Sequence, residues 1–238
     1  MKKKSIFYII LFSLCICDER NFMFTYEKKM LGPGESEIEL YVTNEYPNHS
    51  MFNNENRNTL KLQYEIEIGM TEDFEVAFYN TFVQKPNEGI EFDQYKLRFK
   101  YRVFDDKVKW TPILYSEIKG NLDFTEITLE QKFLFTEYFG NINFSFNPII
   151  ELEMEKNTVN DKWENEFEIG FTIGLSYNFK KRISAGFDMK ISEYTSYIGP
   201  VFSHGGDGKF WVFGIARKFS GLEEKPNLLL KSIMGFHF

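Results

Sequence analysis

The sequence predicts an all-β protein, a single closed antiparallel transmembrane β-barrel of about twelve strands. Apolar and polar residues alternate over long stretches, most clearly between Trp163 and Phe179, where only Asn165 breaks the apolar series. A period of two is typical of a strand with one apolar and one polar face, and this stretch exceeds the about 9–11 residues that cross a bilayer at a tilt. Its polar face carries Gly, Thr, Ser and Glu, which suits a wet lumen. Aromatic residues make up 18% of the chain, which favours strands and interfacial girdles.

The first seventeen residues predict an export signal. Three lysines at positions 2–4 precede an apolar run from Ile6 to Leu14, and we expect cleavage before Asp18. The run is shorter than the roughly 20 residues of a spanning helix, which argues against an uncleaved anchor. The alternative is a lipid-modified Cys17. The chain has 2 cysteines, both within this segment, so we expect no disulfide in the mature protein.

Residues 18–35 are expected to form an irregular N-terminal lead, and residues 36–238 the barrel. The turn Gly32-Pro33-Gly34 ends the lead. The first six strands are predicted at Ser36–Glu45, Thr59–Gly69, Phe74–Val83, Phe92–Val103, Val108–Lys119 and Phe124–Phe135. The alternation is nearly unbroken in the first two. The fifth strand has weaker support because Pro112 cannot donate to a sheet ladder.

The last six strands are predicted at Asn141–Glu155, Trp163–Phe179, Ile183–Ile191, Ser196–Ser203, Lys209–Arg217 and Asn227–Phe238. Pro148 interrupts the seventh strand and predicts a bulge there. The tenth and eleventh strands have weaker support because both of their faces are apolar.

The connections favour the same strand count. Short turns follow the even strands, at Met70–Asp73, Phe104–Lys107, Thr136–Gly140, Lys180–Arg182 and His204–Gly208. Longer loops follow several odd strands, at Tyr46–Asn58, Gln84–Glu91, Lys156–Lys162 and Lys218–Pro226. Short turns at one end and longer loops at the other are typical of outer-membrane barrels, whose short turns face the periplasm.

The chain ends on an aromatic pair, Phe236 and Phe238, on one face of the last strand. This ending resembles the signal read by the barrel-insertion machinery, although Ile233 stands where that signal usually has Gly.

Together these features resemble a broad family of porin-like and transporter-like outer-membrane β-barrel proteins of Gram-negative bacteria. The resemblance covers about Tyr26 to Phe238. It is carried by residues 32–35 (GPGE), 66–79 (IEIGMTEDFEVAFY), 95–102 (YKLRFKYR) and 197–200 (YIGP), and by the Glu-rich seventh and eighth strands. It implies an outer-membrane location, with lipid, lipopolysaccharide and the insertion machinery as partners. It implies no catalytic residues.

Charged residues dominate the face that we predict to point inward. The candidate lumen-lining residues are Glu65, Glu67, Lys96, Arg98, Lys100, Arg102, Glu126, Glu130, Glu151, Glu153, Glu164, Glu166 and Glu168. The basic members on the fourth strand and the acidic members on the seventh and eighth would set a field across an open lumen. In the alternative interpretation these side chains pair with one another and fill the barrel, because burying unpaired charge is costly.

Other kinds of chemistry have little support in the sequence. A net charge of −7 argues against nucleic-acid binding. The three histidines, His49, His204 and His237, are scattered and lack an evident nucleophile with an orienting acid. We therefore predict no catalytic, cofactor or metal site and no enzymatic activity. Residues 204–208 (HGGDG) are interpreted as a tight turn.

The favoured function is a narrow channel or transporter-like protein for a small solute. The alternative is a plugged barrel with a structural or surface-interaction role and no transport. Two further hypotheses are an enzyme in the barrel wall and a soluble exported β-barrel with its aromatic face inside. The sequence leaves open whether the lumen conducts and which solute it would pass.

Overall fold

A computed structural model describes residues 20–48, 58–105, 108–157, 160–180 and 182–238. Twelve antiparallel strands form one closed barrel, so the predicted fold class is confirmed. The strands are β1 (Ser36–Tyr46), β2 (Thr59–Thr71), β3 (Phe74–Gln84), β4 (Ile90–Arg102), β5 (Ile113–Gly120), β6 (Glu126–Phe139), β7 (Ile142–Asn157), β8 (Lys162–Lys180), β9 (Ile183–Ser192), β10 (Thr195–Gly206), β11 (Lys209–Gly221) and β12 (Leu228–His237). The export signal, the cleavage before Asp18, the Cys17 alternative and His49 lie outside the described residues.

Each strand pairs with its neighbour in sequence, and β1 pairs with β12 to close the ring. Beyond the paired residues of β12, the amide of Phe238 donates to the carbonyl oxygen of Ser36 at 2.8 Å. Closure satisfies the backbone groups that an open sheet edge would expose, which is a requirement for strands in a membrane.

The outer and inner faces of the wall have opposite chemistry. Ile66, Phe78 and Phe187 point outward and are 41%, 51% and 61% exposed, whereas Arg98 and Glu65 point inward and are 0% exposed. This arrangement is the opposite of the one that the soluble-barrel hypothesis requires, with the aromatic face inside. No helix in the described part of the chain is long and apolar enough to cross a membrane.

The prolines correct two details of the prediction. β5 begins at Ile113, directly after Pro112, so the β4–β5 connection is longer than expected. At Pro148 the predicted bulge is wrong: Pro148 stays paired with Phe171 of β8, and the register on the β6 side is the same before and after it. The missing proline donor is accommodated by a gap in the β6–β7 pairing between Lys132 and Phe135.

Two turns are tighter than predicted because β6 and β10 run on to Phe139 and Gly206. The β10–β11 turn consists of Asp207 and Gly208, with φ angles of 57° and 75°. Positive φ at both central residues is the geometry of a two-residue hairpin turn, and it favours an Asp-Gly pair. The tight turn predicted for residues 204–208 is therefore confirmed at Asp207 and Gly208, whereas His204, Gly205 and Gly206 belong to strand β10.

Strands β7 and β8 are 16 and 19 residues long. β9 pairs with β8 only as far as the Gly170–Ser192 pair, so residues 162–169 of β8 pair with β7 alone. We call residues 151–157 and 162–169 the β7–β8 ribbon. It extends past its β9 neighbour at the loop end of the barrel.

Candidate functional site

The N-terminal lead folds into the barrel. Residues 20–34 form no strand, and Phe22, Met23 and Leu31 among them are 0%, 0% and 2% exposed. We call residues 20–34 the plug. The sequence predicted an irregular segment here without assigning it a place in the fold.

Apolar side chains of the wall pack against the first part of the plug. Phe22 belongs to a buried cluster with Val201, Val212 and Ile233 of the inner wall. The wall has a glycine where Phe22 meets β8: a β-carbon added at Gly174 would lie 2.7 Å from the Phe22 ring. A glycine inside a strand often marks the close approach of another group, and here that group is the plug.

Met23 has a similar seat. Its side chain packs against Tyr197, Ala216 and Leu229 of β10, β11 and β12. A β-carbon added at Gly214 would lie 2.5 Å from the Met23 sulfur. Two consecutive plug residues thus occupy the space left open by two wall glycines.

Wall side chains satisfy the plug backbone. The Asp188 carboxylate accepts hydrogen bonds from the Phe24 amide and the Thr25 hydroxyl, both at 2.6 Å. The Asn147 side chain accepts from the Tyr26 amide at 2.7 Å and donates to the Tyr26 carbonyl at 3.0 Å. An irregular segment can be buried only when its polar groups find such partners.

The basic residues of β4 lie in a network of ion pairs. Arg98, which is fully buried, contacts the carboxylates of Glu65, Glu67 and Glu75 at 2.7, 2.6 and 2.5 Å. Lys100 contacts Glu75 at 3.0 Å. A buried guanidinium needs such partners, so this side of the wall corresponds to the paired, filled alternative.

The remaining predicted lining residues fall into two groups. Four more lie toward the lumen and have ionic partners: Lys96 with Glu117 at 3.4 Å, Glu130 with Lys132 at 2.9 Å, Glu151 with Lys119 at 3.1 Å, and Arg102 with Asp73 at 4.0 Å. Glu168 is half-buried and lines a cavity described below.

Four predicted lining residues, Glu126, Glu153, Glu164 and Glu166, are instead exposed to solvent. Glu153, Glu164 and Glu166 lie on the β7–β8 ribbon, and Glu126 of β6 is paired with Glu155 near the tip of the ribbon. The expected acidic wall facing a basic wall is therefore corrected. Strand alternation predicts on which face a side chain lies, but not whether the strand still belongs to the ring.

The plug separates two cavities. The turn-side cavity has a volume of about 410 Å³ and is lined by Asn21, Lys29, Tyr138, Asn141, Asn178, Phe179, Lys180, Arg182, Ile183, Ser184, Ser203 and Gly205. The loop-side cavity has a volume of about 250 Å³, and Arg20, Phe24 and Tyr26 of the plug contribute to its lining. The two cavities share no lining residue, and plug residues contribute to the lining of both.

Positive side chains outnumber negative ones around the loop-side cavity. The cations are Arg20, Lys96, Lys119, Lys132, Lys190 and Lys231, and the carboxylates are Glu117, Glu130, Glu151 and Glu168. Lys190 and Lys231 differ from the other four cations: within the described part of the chain, neither has a carboxylate oxygen within 4.0 Å. The Lys231 ammonium lies 5.3 Å from the Tyr41 ring centre and 5.9 Å from the Phe24 ring centre.

A second charged group lies nearer the turn end. Glu37, Glu39 and Glu67 are buried and place carboxylate oxygens within 4.8 Å of one another. Arg20 contacts Glu39 at 3.3 Å, so this group belongs to the ionic packing between plug and wall. His237, predicted only as a scattered residue near the chain end, has a fully buried side chain whose Nδ1 lies 3.8 Å from Glu37.

Sequence reasoning missed several residues that shape this site, among them Tyr41, Asn147, Asp188, Lys190 and Lys231. Tyr41 carried a signal, because it is an aromatic residue on the polar face of β1. Its hydroxyl donates to Glu65 at 2.7 Å inside the barrel. Asp188 carried a weaker one, as an acid among small residues on the inward face of β9.

The fold and lumen define a class of protein, the closed antiparallel barrel with an apolar outer face and a charged interior. No protein-family model and no curated protein sequence matches the chain. An outer membrane channel from Pseudomonas putida F1 has a similar structure, with a TM-score of 0.64 at 10% identity, covering 91% of this chain and 100% of that one. The NanC porin is similar over 84% of this chain and 98% of its own, with a TM-score of 0.58 at 8% identity.

At these identities the likeness shows the fold. The resemblance to outer-membrane β-barrel proteins expected from the sequence is confirmed at that level. The proposed insertion signal lies at the closing strand, with Phe236 and Phe238 both exposed, and its role stays a prediction.

Proposed function

We propose that this chain is a narrow outer-membrane channel for small solutes, closed in the present conformation by its own plug. The observation that carries the proposal is the division of the lumen. Two cavities, of about 410 and 250 Å³, lie on opposite sides of a single irregular segment that is not part of the sheet. Moving that segment would join them while the strand ladders stay intact.

The outer surface supports a location in the outer membrane of a Gram-negative-type bacterium. Its exposed aromatic and aliphatic side chains suit lipid, and the similar structures are an outer membrane channel and a porin. Lipid, lipopolysaccharide and the insertion machinery are the partners that such a location supplies. We propose no enzymatic role, since transport requires none.

The depth at which the plug is buried favours a second candidate, a permanently plugged barrel with a structural or surface-interaction role. A segment held by Asp188, Asn147 and an apolar seat could remain in place throughout the life of the protein. The two candidates differ in one respect that can be measured, which is whether the plug moves.

A reversible crosslink tests that difference. The Ser184 hydroxyl donates to the Asn21 side chain at 2.7 Å, so Asn21→Cys with Ser184→Cys puts one thiol on the plug and one on the wall residue that it contacts. Residues 18–238 contain no native cysteine. The refolded double variant would be inserted into planar bilayers and recorded under oxidising and reducing conditions, with each single-cysteine variant as a control.

We expect conductance steps under reducing conditions and their loss on oxidation, with no redox effect in the single-cysteine controls. Equal conductance in both states would show that ions pass without movement of this part of the plug. A folded, inserted barrel that conducts in neither state would favour the structural candidate. Folding would be checked by heat-modifiable migration in detergent.

A further inference from the structure

We infer that the loop-side cavity is a binding site for small carboxylate anions, with Lys190 and Lys231 as the residues that hold the anion. This inference rests on the proposed function, because it names the class of solute that the channel would admit. It starts from the charges that remain once the ion pairs around the cavity are set aside.

Four of the six cations around the cavity have a carboxylate partner. Arg20 is paired with Glu39 at 3.3 Å, Lys96 with Glu117 at 3.4 Å, Lys119 with Glu151 at 3.1 Å, and Lys132 with Glu130 at 2.9 Å. The groups that remain are Lys190, Lys231 and Glu168. Glu168 accepts a long hydrogen bond of 3.5 Å from the Tyr194 amide at the loop end. The cavity therefore presents two ammonium groups against one carboxylate at its rim.

The surroundings of Lys231 reinforce this imbalance. The positive charges of Arg20, Lys96 and Lys132 all act on Lys231. Asp188 is the carboxylate that acts on it favourably, but Asp188 already accepts hydrogen bonds from the plug backbone. An ammonium group in a partly desolvated, positive site gains from a bound counter-anion.

Lys190 lies three strands away on β9 and lines the same cavity. The carboxylates that act on it are Glu130 and Glu151, each already paired with another lysine, while Lys119 and Lys132 oppose it. A lysine ammonium offers three donors on a flexible stem, so each of these lysines can hydrogen-bond an anion in the cavity without a fixed geometry.

The floor of the cavity favours an organic anion. Aromatic side chains contribute to the lining, with Phe24 and Tyr26 from the plug and Tyr41, Tyr79 and Tyr115 from the wall. The faces of these rings suit a solute with a carbon skeleton beside its charge. A volume of about 250 Å³ lies below the range of roughly 300–1,000 Å³ found for drug-sized ligands, so the solute is small.

Equilibrium binding tests the site without requiring conduction. Citrate would be titrated calorimetrically into the refolded protein in detergent, with sodium chloride at matched ionic strength as the reference. The variants are Lys190→Gln, Lys231→Gln and the double substitution. Lys209→Gln is the matched control, because Lys209 is an exposed lysine at the turn end that does not line the cavity.

We expect each single substitution to weaken citrate binding about tenfold or more, since a charged hydrogen bond contributes more than one decade of affinity. The double variant should lose measurable binding, Lys231→Arg should retain it, and Lys209→Gln should stay within about twofold of the parent. Heat-modifiable migration would verify that each variant is folded.

Three outcomes would overturn the inference: no citrate binding by the folded parent, undiminished binding by the double variant, or an equal loss in Lys209→Gln. The failure of this site and that of the channel are distinguishable. Citrate binding that depends on the two lysines, in a barrel that never conducts, would support the binding site and contradict the channel. Conductance in a protein that binds no citrate would support the channel and contradict the binding site.

Discussion

Truncation of Phe22 should open the barrel without unfolding it. Phe22 is 0% exposed and packs into a wall cluster that includes Val212 and Ile233. Replacing a buried Phe by Ala typically costs about 3–5 kcal/mol. Phe22 belongs to the plug and the strand ladders do not depend on it, so most of this cost falls on the seated state of the plug. At about 1.4 kcal/mol per factor of ten, the ratio of seated to released plug should fall roughly a hundredfold to a thousandfold.

The assay is single-channel recording of Phe22→Ala in planar bilayers, with the fraction of time spent open as the readout. The matched control is Phe187→Ala, which removes the same side chain from the outward face of β9, where it is 61% exposed. We expect a large rise in open time for Phe22→Ala and little change for the control. A folded Phe22→Ala barrel that stays closed like the parent would refute the idea that this apolar seat holds the lumen shut.

Three further predictions concern the plug seat, the ionic network and the ribbon. Gly174→Ala places a methyl group 2.7 Å from the Phe22 ring and should raise the open time in the same recordings; an unchanged value would mean that the seat can expand. Arg98→Met removes the cation shared by three buried carboxylates and leaves Glu67 and Glu75 with Lys100 alone. The free energy of unfolding in urea should therefore fall by about 3–5 kcal/mol, against less than about 1 kcal/mol for the exposed pair lost in Arg182→Met; equal losses would contradict the assignment. Glu153→Lys turns the like-charged cross-strand pair of Glu153 and Glu166 into an oppositely charged pair. The amides of the ribbon should then be protected from hydrogen exchange by about 0.2–1 kcal/mol, and faster exchange would contradict this prediction.

Local pattern was sufficient for the wall. β1, β2, β3, β9 and β11 begin at the predicted residues, because the alternation of apolar and polar side chains is a property of each strand alone. The exceptions have local causes as well. Pro112 shortens β5, and the long alternation of β7 and β8 continues past the point where β9 stops pairing.

The contacts inside the lumen did not follow from local sequence pattern. The contact between Thr25 and Asp188 joins residues 163 positions apart, and no periodicity connects the two. In the same way, the inward face of β4 was readable from the sequence, but the choice of Glu65 and Glu75 as partners of Arg98 was not. By itself, then, the sequence determined the strands, their faces and the closed barrel. The reason is that the contact of each side chain with solvent or lipid depends on its own position along the strand. Only the tertiary structure decided what fills the barrel and which cavity lysines lie within 4.0 Å of a carboxylate in the described part of the chain, because both depend on complementarity between distant segments that meet only after closure.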